Sequence, residues 1–144
     1  MIESDTIKLL RECDAGIKMG VSAIDEVIDN IKNENLENQL SVCKTEHEKL
    51  KEEVNTLLDE YHDKGKEPTF MAKSMSKMKT KMKMLTNCSD ETIADLVTDG
   101  CNMGVKSLNR YLNQYEAADE KSKDIAKRLI NLEESLTINI RKYL

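Results

Sequence analysis

Residues 16–28 read Gly-Ile-Lys-Met-Gly-Val-Ser-Ala-Ile-Asp-Glu-Val-Ile, and residues 100–112 read Gly-Cys-Asn-Met-Gly-Val-Lys-Ser-Leu-Asn-Arg-Tyr-Leu. At this offset of 84, Gly16/Gly100, Met19/Met103, Gly20/Gly104 and Val21/Val105 are identical, while Ile24/Leu108 and Ile28/Leu112 stay apolar. Four of the chain's five glycines lie in this echo, inside patterns of helical period where each costs about 1 kcal/mol against alanine. Close helix packing is the simplest offset for that cost. Carrying the spacing outward gives two rows of mostly small residues: Cys13, Gly16, Gly20, Ala23, Val27 and Val97, Gly100, Gly104, Ser107, Tyr111. Such ridges let two backbones approach to the lower end of the usual range of about 8–10 Å and gain dispersion contacts. The expectation is that the ridges around Gly16, Gly20, Gly100 and Gly104 face each other, which puts Asp14 level with Lys106 and Thr98 level with Ser22. A glycine-lined ligand pocket is the alternative.

The rest of the chain repeats the helical period. The first helix is expected over about 4–32, capped by Ser4 or Asp5, with the seam Ile7, Leu10, Asp14, Ile17, Val21, Ile24, Ile28 and Ile31. These residues are spaced three and four apart, as a bundle helix requires. Asp14 is the polar intruder in that seam. A polar turn at Asn30–Asn35 leads into a second helix over about 36–63. Its seam is Leu36, Leu40, Cys43, His47, Leu50, Val54, Leu57 and Tyr61, with Gly65 as the expected C-terminal cap. A break at Lys64–Pro68 precedes a short helix over about 69–85. Ser89 is the expected N-cap of a third helix over about 90–116, and a fourth follows over about 119–143 with the seam Ile125, Leu129, Leu132, Leu136, Ile140 and Tyr143. The reading is one all-α domain over 1–144, a ferritin-like four-helix bundle of two helical hairpins joined by a short crossover helix. If the second and third helices are parallel, as in bundles with one crossover, the first and third are antiparallel.

Composition narrows the function classes. One proline, no tryptophan, one phenylalanine and 34% charged residues describe a soluble helical protein. The start Met-Ile-Glu-Ser-Asp lacks a signal-peptide pattern, and no apolar run approaches the roughly 20 residues that span a bilayer. A cytoplasmic location is therefore expected. Cys13, Cys43, Cys88 and Cys101 show no CxxC pair and read as free core thiols. The net charge of -5 argues against nucleic acid as a partner of the whole chain. Locally the sign reverses: residues 66–83 carry six lysines against Glu67, a net of +5, which leaves -10 for the remainder.

Catalytic patterns do not emerge. There is no nucleophile elbow, no phosphate-binding loop and no Cys/His signature. A di-iron bundle needs glutamates and Glu-x-x-His pairs, but there are only two histidines, and Lys44 stands three residues before His47. Asp59-x-x-His62 falls at a helix end, where histidine reads as a cap favoured by the helix dipole. His47 reads as a hydrogen-bonded core residue that can respond to pH. Asp14 and His47 are therefore candidate buried polar groups, and no metal or other cofactor is expected. The strongest interaction candidate is the 69–85 segment, with Met71, Met75, Met78 and Met82 on one face and Lys73, Lys77, Lys79, Lys81 and Lys83 between them. Such a surface can dock on an acidic protein, an anionic membrane or nucleic acid, while the plainer reading makes its methionines part of the core.

Leu9-Leu10 followed by Asp14-x-Gly16-x-x-x-Gly20, a helical crossover after Pro68, and Asp99-Gly100 with Tyr111 resemble a family of small ferritin-like four-helix-bundle proteins of bacteria. The resemblance spans nearly the whole chain. It implies the ferritin-like fold and a homodimer, and no settled activity. Members of the wider ferritin-like group bind two irons through glutamates and Glu-x-x-His pairs. This chain departs from that pattern at Asp14, Lys44 and Met103 and along the fourth helix. The abundance of Ile, Lys and Asn is compatible with a low-GC bacterium. The expectation is a non-enzymatic bundle with a structural role or an unidentified protein partner. The alternatives are an atypical ferritin-like metal or redox protein and a binder acting through the Met/Lys segment.

Overall fold

The computed structural model describes residues 2–68 and 89–144. Helix α1 spans Ile2–Val27 and runs into a single 3-10 turn at Ile28–Asn30; α2 spans Glu34–Glu60, α3 Asp90–Gln114 and α4 Glu120–Ile140, which ends in a 3-10 turn at Arg141–Tyr143. The described residues are all-helical, with four helices packed on one another. The helix expected over 69–85, with Met71, Met75, Met78, Met82, Lys73, Lys77, Lys79, Lys81 and Lys83, lies outside the described residues.

Side-chain caps explain where three of these helices begin. Asn33 accepts the N–H groups of Asn35 and Leu36 at the start of α2, Ser89 that of Thr92 at α3, and Asp119 that of Ser122 at α4. Each satisfies orphan donors of a first turn, worth about 1 kcal/mol. The expected cap of the first helix is different. α1 already begins at Ile2, and Asp5 spends its carboxylate elsewhere, accepting the Ala117 N–H at 3.1 Å. The first helix also stops short of residue 32, because its last turn tightens to 3-10 geometry at Ile28. α2 ends at Glu60 rather than 63. The N–H groups of Tyr61 and Asp63 both return to the Leu58 carbonyl, and His62 takes the left-handed conformation (φ 56°) that closes the turn. Gly65 is thus no helix cap; its own positive φ of 81° serves the loop beyond.

α1 packs on α2 and α3 on α4 as two hairpins; α2 also lies on α4 and α1 on α3, with α1 touching α4 across the diagonal. The hairpins clasp each other's turns. Asp5 and Thr6, at the start of α1, accept the N–H groups of Ala117 and Asp119 in the α3–α4 turn, the latter at 2.9 Å. Reciprocally, both carboxylate oxygens of Asp90, at the start of α3, accept the Lys32 and Asn33 N–H groups in the α1–α2 turn, each at 2.9 Å. The start of each hairpin therefore lies at the turn of the other, so α1 and α3 run antiparallel and α2 and α3 parallel.

The core divides into two apolar clusters. Leu9, Leu10, Cys13 and Ile17 of α1 pack with Leu50, Val54, Leu58, Leu108, Ile125 and Leu129 in one. Ile24 and Val27 pack with Leu36, Leu40, Cys43, Ile93, Cys101, Leu136 and Ile140 in the other. Leu58, not the expected Leu57, is the fully buried leucine near the end of α2; Leu57 packs half-buried beside it. Asp90→Ala should remove both acceptors of the α1–α2 turn and the charge at the start of α3, lowering stability by about 1–2 kcal/mol. Urea unfolding measures that loss, and amide exchange should accelerate first at Lys32 and Asn33.

Candidate functional site

Between the two apolar clusters lies one layer built from Gly20 of α1, His47 of α2, Gly104 of α3 and Glu133 of α4. His47 is 2% exposed and Glu133 7%. The His47 Nδ1 stands 2.8 Å from the Cys43 carbonyl one helical turn earlier. A carbonyl only accepts, so Nδ1 carries the proton. The ring's other nitrogen, Nε2, then points across the bundle to Glu133, 3.8 Å from Oε1. Neither Nε2 nor Glu133 Oε2 has a hydrogen-bond partner. The Cys43 sulfur lies 3.5 Å from Nδ1, and Cys101 is near enough for the Glu133 charge to act on its thiol.

This layer is what the glycines serve. A Cβ on Gly20 would come within 3.0 Å of His47 Nε2, and one on Gly104 would strike the Glu133 carboxylate. Gly16 meets only Leu129, at 3.9 Å, and Gly100 has nothing within 4 Å. The expected facing ridges of Gly16, Gly20, Gly100 and Gly104 are therefore absent. Each inner glycine leaves room for a polar side chain from the second helix of its own hairpin. Glu133 is the residue that sequence reading missed. It shares a row with Ser122, Ala126 and Ile130, all buried, lying beside the row traced through Leu132. A carboxylate continuing a row of small and apolar residues was the available signal.

Burial works against a charge on His47, but the Cys43 side chain and the Glu133 carboxylate outweigh it and raise the imidazole to about 10. Burial raises the Glu133 carboxyl above its ordinary range, while His47 pulls it back. Across the layer each group favours the charged form of the other. Burial also pushes the Cys13 thiol up to about 12, and raises that of Cys101.

Asp14 forms a second buried polar centre, 1% exposed. It does not meet Lys106, which is exposed. Its Oδ2 accepts the Lys66 N–H at 2.9 Å and pairs with Lys18 Nζ at 2.9 Å, one turn along its own helix. The loop after α2 crosses α1 at this point. Arg11 grips Asp63 through Nε and Nη2, Lys66 pairs with Glu12, and Lys18 reaches Glu67 at 2.8 Å. Gly65 permits the crossing: a Cβ there would collide with the Asp14 carboxylate, and its φ of 81° is one that L side chains rarely adopt.

A cleft of about 640 Å³ runs between α1 and α2, lined by Lys18, Val21, Asp25, Glu26, Glu48 and Lys51 among others. It does not include His47. Among the described residues, no three His, Cys, Asp or Glu side chains are placed to hold one metal ion, and no helix is long and apolar enough to cross a membrane. No protein-family model matches the chain, and neither a curated protein nor a solved structure matches it.

Two measurements follow from this geometry. Gly104→Ala should destabilise by about 1–3 kcal/mol because its methyl displaces the Glu133 carboxylate, whereas Gly100→Ala, with open space around it, should stabilise by up to about 1 kcal/mol. Opposite shifts in the urea midpoint are the expected outcome. The second concerns pH. The folded His47 value lies above the ordinary 6.5, so its stabilisation is whole below pH 6.5 and is lost as pH rises through about 10. Glu133, also raised, acts with the same sign at lower pH. Between pH 7 and about 8, below the ordinary thiol value of about 8.5, unfolding free energy should fall by up to about 1.4 kcal/mol per pH unit. His47→Gln should flatten that slope in urea titrations across the same range.

Proposed function

We propose that this chain is a ferritin-like four-helix bundle, with the connection after α2 as its crossover, and that it acts without catalysing a reaction, through its structure or through contact with another protein. Parallel α2 and α3, each part of an antiparallel hairpin, support the ferritin-like reading, because that order needs one long connection.

The observation that carries the functional reading is the enclosure of the chemistry. His47 and Glu133, the groups best suited to hold or transfer a proton, are sealed between two apolar clusters. A substrate larger than a water-sized molecule reaches them only if the helices separate. The outer surface, in contrast, presents large apolar side chains to water: Met103 of α3 at 70% exposure, Ile138 of α4 at 56% and Val42 of α2 at 52%. Such side chains gain free energy when a partner covers them, at roughly 25 cal/mol per Å² of apolar area removed from water.

The second reading is an atypical metal or redox protein; the buried thiols of Cys43 and Cys101 beside His47 and Glu133 bear on its redox form, since no three of the described His, Cys, Asp or Glu side chains are placed to hold one metal ion. The two part at one experiment. Protein purified without chelator is loaded anaerobically with Fe(II), Mn(II), Zn(II) or Cu(I), desalted and assayed for bound metal. Less than one tenth of an equivalent per chain is the expected result. Retention of a full equivalent of any of these ions would replace the binding role with metal chemistry.

A further inference from the structure

One exposed row of α4 has a self-complementary order of residues. Glu134, Ile138 and the pair Arg141 and Lys142 follow one another at one-turn intervals and all face water, Ile138 at 56% exposure. Acid precedes the isoleucine and base follows it. Among the described residues Glu134, Arg141 and Lys142 enter no ion pair, and Lys142 lies over the Tyr143 ring. Val42 of α2 stands beside this row. It comes five residues before His47, and Ile138 comes five after Glu133, so the antiparallel register marked by the His47–Glu133 contact sets the two exposed side chains level. Around them Ser41, Thr45, Ser135 and Asn139 are exposed and uncharged, in a chain of which 34% is charged. We propose that a second copy of this chain docks on this face, the two related by a twofold axis that passes beside Ile138 at right angles to α4. This rests on the protein-contact role above and names its partner.

A twofold interface brings the same patch of both copies together. About an axis at Ile138 the two α4 helices run antiparallel, isoleucine meets isoleucine, and Glu134 of each copy comes level with Arg141 and Lys142 of the other. Four residues separate Glu134 from Ile138 and four separate Ile138 from Lys142, so both charge contacts close at once. A copy set parallel on the same face would put acid on acid and base on base. An anionic membrane or a nucleic acid would meet Glu134 as well as the two cations, so a reversed copy matches the row better than either. Covering the centre costs little. The Thr45 hydroxyl already donates to the Ser41 carbonyl at 3.1 Å, so burying it leaves no donor unpaired. Burying Val42 and Ile138 removes apolar surface from water. The charges lie at the rim, where they set orientation more than affinity. From Lys127 to Lys142 the exposed side of α4 is about 23 Å long, which suits a contact of the small, reversible class.

Sedimentation equilibrium of the full chain from about 1 µM to about 200 µM spans the dissociation constants of such contacts. A reversible dimer is the expected result. Ile138→Glu should weaken it at least about ten-fold by setting two carboxylates against each other at the axis, whereas Met103→Glu, on α3 and more exposed, should leave it unchanged. Glu134→Lys should weaken it about ten-fold through its two like-charge contacts. Adding Arg141→Glu and Lys142→Glu to that variant should restore the parent value, a rescue that damage to the fold would not give. Every substituted side chain is exposed, so circular dichroism should match the parent throughout. A parent chain that stays monomeric at the top of the range would overturn the proposal while leaving the contact role to a different protein. A dimer indifferent to Ile138→Glu, or a charge reversal without rescue, would overturn it as well. Loss of the contact role itself is read separately, from retained metal.

Discussion

His47 and Glu133 share the middle of the bundle, and much of the packing is arranged to make room for them. Two ionisable groups taken out of water carry a desolvation penalty of several kcal/mol each. Facing each other across the α2–α4 seam recovers part of it. The space comes from the other two helices, which have glycine where any side chain would push against the ring or the carboxylate. The helix propensity lost at Gly20 and Gly104, about 1 kcal/mol each, is small beside the roughly 3–5 kcal/mol that follows when one member of a buried pair is left alone. The polar layer also separates the apolar clusters around Leu10 and Ile24. A slip of one helix by a turn would set His47 or Glu133 against leucine, so the pair helps to define the register of the hairpins.

Asp14 plays a corresponding part on the outside of α1. Its carboxylate accepts a backbone N–H from the loop that leaves α2, so the chain is drawn tightly over the helix rather than looping into water. The three ion pairs that flank it, Arg11–Asp63, Glu12–Lys66 and Lys18–Glu67, are each of modest value at a surface. Together they hold one short loop from both sides of Gly65. The seam position of Asp14, which looks like a flaw in an apolar row, is the point to which the loop is fastened.

Local rules made much of this architecture readable. Ser89 as a cap, the polar turn at Asn33 and the seams through Leu40, Cys43, His47 and Leu50 follow from periodicity and capping chemistry, which act over three or four residues. The purpose of the glycines did not follow, because an empty Cβ position looks the same whether a backbone or a side chain fills the space beside it. Glu133 was hidden for a related reason. An exposed glutamate and a buried one are the same letter, and only the row from Ser122 to Ile130 distinguishes them. Asp14 lies buried in the apolar row of α1, and its partners come from the loop at Lys66 and from its own helix at Lys18. Lys106 would lie level with Asp14 only if the glycine ridges faced each other, and they do not. Periodicity locates faces of helices well, and says little about which long side chain crosses the gap between them.

The reciprocal clasp at the turns has a kinetic meaning. Each hairpin is built from contacts close in sequence, the kind that form quickly, whereas Asp5 and Thr6 meet the α3–α4 turn across separations of 112 and 113 residues, and Asp90 meets the α1–α2 turn across 57 and 58. Closing loops of that length costs more chain entropy than forming either hairpin, so the clasp is expected to form last. Interactions absent from the transition state act mainly on the rate of unfolding. The clasp is therefore a brake on opening: it sets how long an assembled bundle persists, while the speed of its assembly is left to the hairpins.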